Sequence, residues 1–141
     1  MAETMDRILL EIVTPERKVL AREVDEVVMP GQAGELGVLP GHTELLTILK
    51  PGRLVMRDGA ATELYSVTGG FAEVGHHKVV VLADAAEAAK EIDVERAKAA
   101  KAKAEKQLSE LEMTSEHFAA AEAALERATV RLEVVQLGMG R

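Results

Sequence analysis

ADAAEAAKEIDVERAKAAKAKAEKQLSELEMTSEHFAAAEAALERATVRLEVVQLG, residues 83–138, holds 16 of the 22 alanines in the chain, and neither proline nor glycine occurs from His76 to Leu137. Alanine is the strongest helix former, and glycine and proline the strongest breakers, so the stretch reads as helical. A break near Glu112–Ser115 divides it into two helices. Asp93 is the expected N-cap of the first and Thr114 or Ser115 of the second, since short polar side chains satisfy the orphan amides of a first turn; Gly138 suits the C′ position after Leu137. Along the second helix Phe118, Ala121, Leu125, Ala128, Leu132 and Val135 recur at steps of three and four, a heptad seam. The first helix answers with Ala97, Ala100, Ala104, Leu108 and Leu111, which predicts a short antiparallel hairpin. Its stripe is mostly methyl groups. A buried leucine is worth about 1.5–3 kcal/mol and a single methyl on the order of 0.8 kcal/mol, so such a hairpin is held only marginally.

Working toward the N-terminus, the punctuation reverses. All four prolines (Pro15, Pro30, Pro40, Pro51) and nine of the eleven glycines lie between Pro15 and Gly75. Short apolar and β-branched runs recur between them: Ile8–Val13, Lys18–Met29 with a break, Glu35–Leu39, Leu45–Leu49, Arg53–Arg57, Thr62–Val67, Phe71–Val74 and Lys78–Ala83. Such spacing predicts an antiparallel sandwich or flattened barrel of eight to ten short strands. Pro-Gly at 30–31, 40–41 and 51–52, Asp58-Gly59 and Gly69-Gly70 supply the turns. The predicted fold is therefore α+β by segments, with a β-sandwich over residues 1–84 and a two-helix hairpin over 85–141. Its core must be aliphatic, because Tyr65 and Phe71 are the only rings in the sandwich segment.

Composition excludes several classes of function. Without cysteine there is neither a disulfide framework nor a thiolate zinc site, and a reducing compartment is the simplest context. A formal net charge of −7 argues against nucleic acid, whose phosphates demand lysine and arginine, and against anionic membrane surfaces. No apolar run approaches the roughly 20 residues that span a bilayer. The start, Met1 to Asp6, carries two acids where a signal peptide carries bases.

Charge is sorted along the helical segment. Residues 96–106 hold five bases (Arg96, Lys98, Lys101, Lys103, Lys106) against Glu105, while 107–126 hold five acids and no base. Opposite charge favours pairing of the two helices, and the basic helix could equally meet an acidic partner. With a turn near residue 113, Arg96 comes level with Arg127 and Arg131, a like-charged i, i+4 pair without an acid three or four residues away on its helix. Two partners fit these arginines: carboxylates from before or across the hairpin (Glu87, Glu91, Asp93), or a bound polyanion such as a nucleotide triphosphate.

Gly34-Glu35-Leu36-Gly37-Val38-Leu39-Pro40-Gly41-His42, Gly69-Gly70-Phe71-Ala72-Glu73-Val74 and Val79-Val80-Val81-Leu82-Ala83-Asp84 resemble the epsilon-subunit family of bacterial and chloroplast rotary F-type ATP synthases. The likeness covers nearly the whole chain, including the order of sandwich then hairpin. It implies a noncatalytic central-stalk subunit on the cytoplasmic face of the bacterial membrane, peripheral and not inserted, that couples proton flow to ATP synthesis and inhibits ATP hydrolysis. The implied partners are the gamma subunit and the ring of c subunits, with Glu35 and His42 as rotor contacts near both, and the catalytic beta and alpha subunits through the extended hairpin, with Lys98, Lys101, Lys103 and Lys106 as its inhibitory bases. The family's nucleotide pattern, Ile/Leu-Asp-x-x-Arg-Ala, is matched by Ile92, Asp93, Arg96 and Ala97. A glutamate five residues earlier and two arginines on the second helix complete it, matched by Glu87, Arg127 and Arg131. The resemblance thus implies ATP as a regulatory ligand stabilising the folded hairpin, with no metal or prosthetic group required.

An independent enzyme is the first rival, but the four histidines (His42, His76, His77, His117) form no catalytic or chelating pattern, since neighbours on a strand point to opposite faces. No HExxH or Walker lysine loop occurs, and Gly31, Gly34 and Gly37 are spaced unlike a dinucleotide fingerprint. The second rival is a stand-alone adaptor or chaperone-like module with a coiled-coil hairpin, against which the Gly34–His42 motif weighs. Mitochondrial delta, the nearest relative within the family, is disfavoured by the acidic, untargeted start.

Overall fold

The computed structural model describes residues 6–139; the acidic opening residues 1–5 lie outside it, as do 140 and 141. Of the ten strands, the first alternates strictly: in β1 (Ile8–Val13), Ile8, Leu10 and Ile12 are fully buried while Leu9, Glu11 and Val13 face outward. The remaining strands are β2 (Lys18–Val24), β3 (Glu26–Gly31), β4 (Gly34–Val38), β5 (Leu45–Ile48), β6 (Gly52–Asp58), β7 (Ala61–Thr68), β8 (Phe71–Val74), β9 (Lys78–Leu82) and β10 (Ala85–Ala88). They form two five-stranded sheets, sheet A in the order β2-β1-β9-β8-β5 and sheet B in the order β10-β7-β6-β3-β4. Every pairing is antiparallel except β1 with β9, whose parallel register runs from Leu9↔Lys78 to Val13↔Leu82. A parallel pair needs a long crossover, and here all of β2 to β8 intervenes.

The inner faces of the sheets meet in an aliphatic core of Ile8, Leu10, Ile12, Val24, Val27, Met29, Val38, Leu54, Met56, Val67, Val79 and Val81, all essentially without solvent contact. Tyr65 is the one ring in it, and burial raises the pKa of its phenol. Phe71 is instead 44% exposed on the outer face of sheet A. Gly70 allows the turn into β8 at a φ of 97°, and a Cβ there would collide with the Leu82 carbonyl oxygen. One edge where the sheets meet is laced by charge. Arg22 of β2 reaches Asp58 of β6 at 2.9 Å and Glu63 of β7 at 2.7 Å, and Arg7 also pairs with Asp58.

Strand β10, of sequence AAEA, lies beyond the division expected after Asp84 and pairs with Tyr65–Thr68 of β7. Its alanines favour a helix intrinsically, but an open sheet edge offers four residues of ladder, and tertiary pairing outweighs propensity. A 3-10 turn, Ala89–Glu91, then leads to α1 (Val94–Glu110) and α2 (Phe118–Met139). Asp93 caps α1 as expected, its Oδ1 accepting from the Arg96 amide at 3.1 Å. Neither Thr114 nor Ser115 immediately precedes α2; the Ser115 Oγ accepts from the His117 amide at 3.1 Å in the turn that leads into the helix. Gly138 does not terminate α2, which runs through it. Its missing side chain serves close packing, since a Cβ there would stand 3.1 Å from Ala89 Cβ.

The hairpin seam buries Ala97 and Ala104 of α1 with Ala121 and Ala128 of α2. Opposite charge plays no direct part: among the described residues no ion pair joins the two helices. Lys98 pairs with Glu95 on its own helix. The long stems on the outer faces leave these charges in water, where pairing is worth little. A second cluster, Leu64, Ile92, Val130 and Val134, ringed by Val55, Ala89, Val135 and Leu137, seats α2 on the outer face of sheet B.

Candidate functional site

Where β10, the 3-10 turn and the two helices converge, a cleft of about 300 Å³ is lined by Glu87, Glu91, Ile92, Asp93, Arg96, Ala97 and Arg131. Six of the seven residues in the expected nucleotide set therefore meet at one place. Glu87 arrives on β10, opposite Ser66 of β7. Ile92 follows the 3-10 turn and is buried in the cluster beneath α2. Asp93 caps α1, which sets Arg96 and Ala97 in its first turn, with Ala97 buried. Arg131 reaches over from α2 and donates through Nε to Glu87 Oε1 at 2.7 Å. Of the two partners open to the arginines, a carboxylate preceding the hairpin thus holds this one.

Arg96 and Arg127 are exposed, and neither guanidinium has a hydrogen-bonded or ionic partner among the described residues. Arg127 lies one turn before Arg131 and outside the cleft lining. Glu91 is the addition that the nucleotide pattern did not contain; its Oε1 accepts from the Ala88 amide at 3.2 Å and closes the 3-10 turn. Three carboxylates and two guanidinium groups face one cleft of a size at the lower end of the ligand-site range. Carboxylates accept from amines and hydroxyls, while guanidinium forks match the oxygens of an anion, so the cleft offers both kinds of contact side by side. Among the described residues no group of three or more His, Asp or Glu side chains is arranged to hold a metal ion.

Glu35 and His42 are set apart. Glu35 stands one residue into β4, exposed, and faces Pro30 across the β3–β4 pair. His42 lies in the loop beyond the other end of β4, half-buried, with Nδ1 2.6 Å from the Thr43 carbonyl oxygen, a contact that requires the proton on Nδ1. The Gly34–His42 stretch is thus a strand followed by a loop, in line with the run expected at Glu35–Leu39 and the turn at 40–41. Along α1, Lys98, Lys103 and Lys106 are exposed and Lys101 half-buried. His76 and His77 are exposed neighbours in the bend between β8 and β9, not on a strand, and His117 is exposed just before α2.

Two features escaped the pattern of motifs. Sheet A carries an uncovered apolar row in which Ile48, Phe71 and Leu82 are successive cross-strand partners on β5, β8 and β9, flanked by Leu46 at 66% exposure. Nothing in the local pattern of LLTI in β5 or KVVVL in β9 marks these residues as outward-facing, or shows which sheet the helices leave bare. On sheet B, Arg53 of β6 reaches Glu35 at 3.3 Å and Glu133 of α2 at 3.7 Å. No helix among the described residues is long and apolar enough to cross a membrane.

Two family models match the chain: the beta-sandwich domain of the ATP synthase delta/epsilon chain over residues 7–89, and its long alpha-helix domain over 90–136. An ATP synthase epsilon chain from Syntrophobacter fumaroxidans is 52% identical over 131 residues, covering 93% of this chain and 97% of that one. Another from Herpetosiphon aurantiacus is 48% identical over 134 residues, covering 95% and 98%. Among solved structures, a chain in the OSCP, F1 and c-ring assembly of the Euglena gracilis mitochondrial ATP synthase superposes with a TM-score of 0.78 at 26% identity, over 95% of this chain and 82% of that chain.

Proposed function

The chain belongs to the ATP synthase delta/epsilon chain family, and from that premise we propose that it is a noncatalytic epsilon-type subunit of the central stalk whose hairpin reports ATP level to the motor. The convergence of Glu87, Ile92, Asp93, Arg96, Ala97 and Arg131 on one cleft carries the regulatory part of this reading. Those residues come from the last strand, the linker and both helices, so only the docked hairpin assembles them. A ligand that binds only the docked form stabilises it in proportion to its preferential affinity. Nucleotide bound there supplies the phosphate charge that Arg96 lacks, competes with Glu87 for Arg131, and reaches Arg127 only by extending one helical turn beyond the lining.

At low ATP the hairpin opens, α1 carries Lys98, Lys101, Lys103 and Lys106 to acidic segments of the catalytic beta and alpha subunits, and hydrolysis is blocked. The uncovered Ile48–Phe71–Leu82 row supports docking of the gamma subunit on sheet A, since a contiguous exposed apolar surface marks an interface. Glu35 and His42 meet the c ring, and the protein is held peripherally at the cytoplasmic face of the bacterial membrane.

Calorimetric titration of the full chain with ATP tests the cleft. Saturable binding, weakened at least tenfold by Arg131→Ala and by Arg127→Ala, is expected; no heat at millimolar ATP, or variants that bind like the parent, ends the nucleotide reading. For inhibition, the four lysines of α1 replaced together by glutamate should raise ATP hydrolysis by the reconstituted complex at low ATP.

A further inference from the structure

Arg53 occupies an unusual position on the outer face of sheet B. It lies opposite Ser66 on β7, which in turn lies opposite Glu87 on β10, so Glu87 and Arg53 belong to one row across the sheet. Helix α2 crosses above this row and touches it twice through residues two apart. Arg131 pairs with Glu87 at 2.7 Å and Glu133 with Arg53 at 3.7 Å. Arg53 is also shared in the plane of the sheet, where it meets Glu35 of β4 at 3.3 Å. One guanidinium therefore serves two carboxylates, one that departs when α2 lifts off and one that stays with the sandwich beside the β3–β4 turn.

We propose that Arg53 is a shared counter-ion coupling the docking of α2 to the availability of Glu35, which in the docked state is left partly free for a cationic side chain of a partner. The sign follows from the sharing. With α2 docked, Arg53 divides its donors between Glu133 and Glu35. When α2 leaves, Glu35 holds Arg53 alone and has less charge to offer a partner. A cation that takes Glu35 releases Arg53 to Glu133 and tightens the hairpin, as reciprocity of linked equilibria requires. The consequence for an assembled motor rests on the partner reading proposed above; the coupling inside the chain does not.

The test uses the full chain, without nucleotide, at low salt. Hydrogen exchange of the α2 amides over Val130–Val134 reads undocking, and exchange in β9, Lys78–Leu82, reads unfolding of the sandwich as the internal reference. Exposed ion pairs shift an equilibrium by up to about fivefold, so Arg53→Met should speed α2 exchange about two- to fivefold with β9 unchanged. Glu35→Gln should slow α2 exchange by roughly twofold, the opposite sign, because it returns Arg53 to Glu133. In the Arg53→Met background Glu35→Gln should do nothing, and in a Glu133→Gln background, an exposed change that keeps the fold if Arg53→Met does not, it should again do nothing. A residue that merely props the sheet predicts no effect of Glu35→Gln on α2. That result, or an effect of Glu35→Gln that persists in either background, overturns the coupling. Because nucleotide is absent, neither outcome bears on the ATP cleft, and failure of ATP binding leaves this test intact.

Discussion

The sandwich and the hairpin are held together by different sizes of side chain. Between the sheets, Ile8, Leu10, Ile12, Met29, Leu54 and Met56 interlock without solvent contact. Between the helices the buried residues are Ala97, Ala104, Ala121 and Ala128. The first set contributes about 1.5–3 kcal/mol per side chain and the second on the order of 0.8 kcal/mol per methyl. What attaches the hairpin to the sandwich lies between these extremes and belongs to α2 alone, through Val130 and Val134 against Leu64 and Ile92. The difference teaches an order of release. Helix α1 is the weakest-bound element, α2 comes away next, and the sandwich persists as the platform on which both events occur.

The largest effect belongs to the sandwich. Leu10→Ala should cost about 2–5 kcal/mol in global stability, because the site is enclosed on all sides and collapses poorly around the cavity. Denaturant unfolding measures it, and a loss below about 1 kcal/mol would mean that the sandwich is no better packed than the hairpin. Val134→Ala comes second, at about 2 kcal/mol for two lost methyls and the space they leave. Its signature is selective: exchange of α1 and α2 amides accelerates while that of β9 holds. Equal acceleration everywhere would show that hairpin and sandwich unfold as one unit. Asp93→Ala is third, about 1 kcal/mol for a lost cap, confined to the first turn of α1. Since that turn carries Arg96 and Ala97, the same variant should weaken ATP binding, and unaltered binding would separate the cap from the cleft.

The readable part of the molecule is the part where local pattern and tertiary setting agree. Period-two burial in Ile8–Val13 and the heptad at Ala121, Leu125 and Ala128 each follow from which residues must leave water, and both appear in the structure. Strand β10 was hidden because AAEA carries no strand signal of its own; the signal is the open edge of β7, whose pairing residues lie 17 to 23 positions earlier, from Ala85↔Thr68 to Ala88↔Tyr65, and outside a window of four. The second face of α2 was hidden by its neighbour. Val130 and Val134 step by four beside the stronger heptad, and only the sheet beneath shows that both stripes are used. In the candidate site, Arg96, Arg127 and Arg131 were legible from helix levels counted across the hairpin, Ala97 from the seam, and Glu87 as one of three carboxylates open to the arginines, which resemblance then singled out. Arg53 was not legible, because its two acids come from β4 and α2, far apart in sequence.

The smallest expected effect tests whether the sandwich owes its firmness to burial alone. At its charged edge the Arg22 guanidinium, and after it that of Arg7, donates to the Asp58 carboxylate and holds its pKa below the ordinary value near 4. The folded state therefore favours the ionised carboxylate. That preference contributes in full above the unfolded pKa and is lost as pH falls through the depressed folded value. Asp58 and Arg22 are about 30% exposed, so solvent screens the pair and its share is minor beside that of Leu10. Asp58→Asn removes the titration. Its destabilisation relative to the parent should be constant from neutral pH down to about 5 and shrink progressively below 4, as the parent loses what the variant never had. Paired urea titrations across that range measure the difference. Curves that stay parallel to the lowest pH would mean that the arginines gain nothing from the charge on Asp58, leaving the two sheets joined by their aliphatic core.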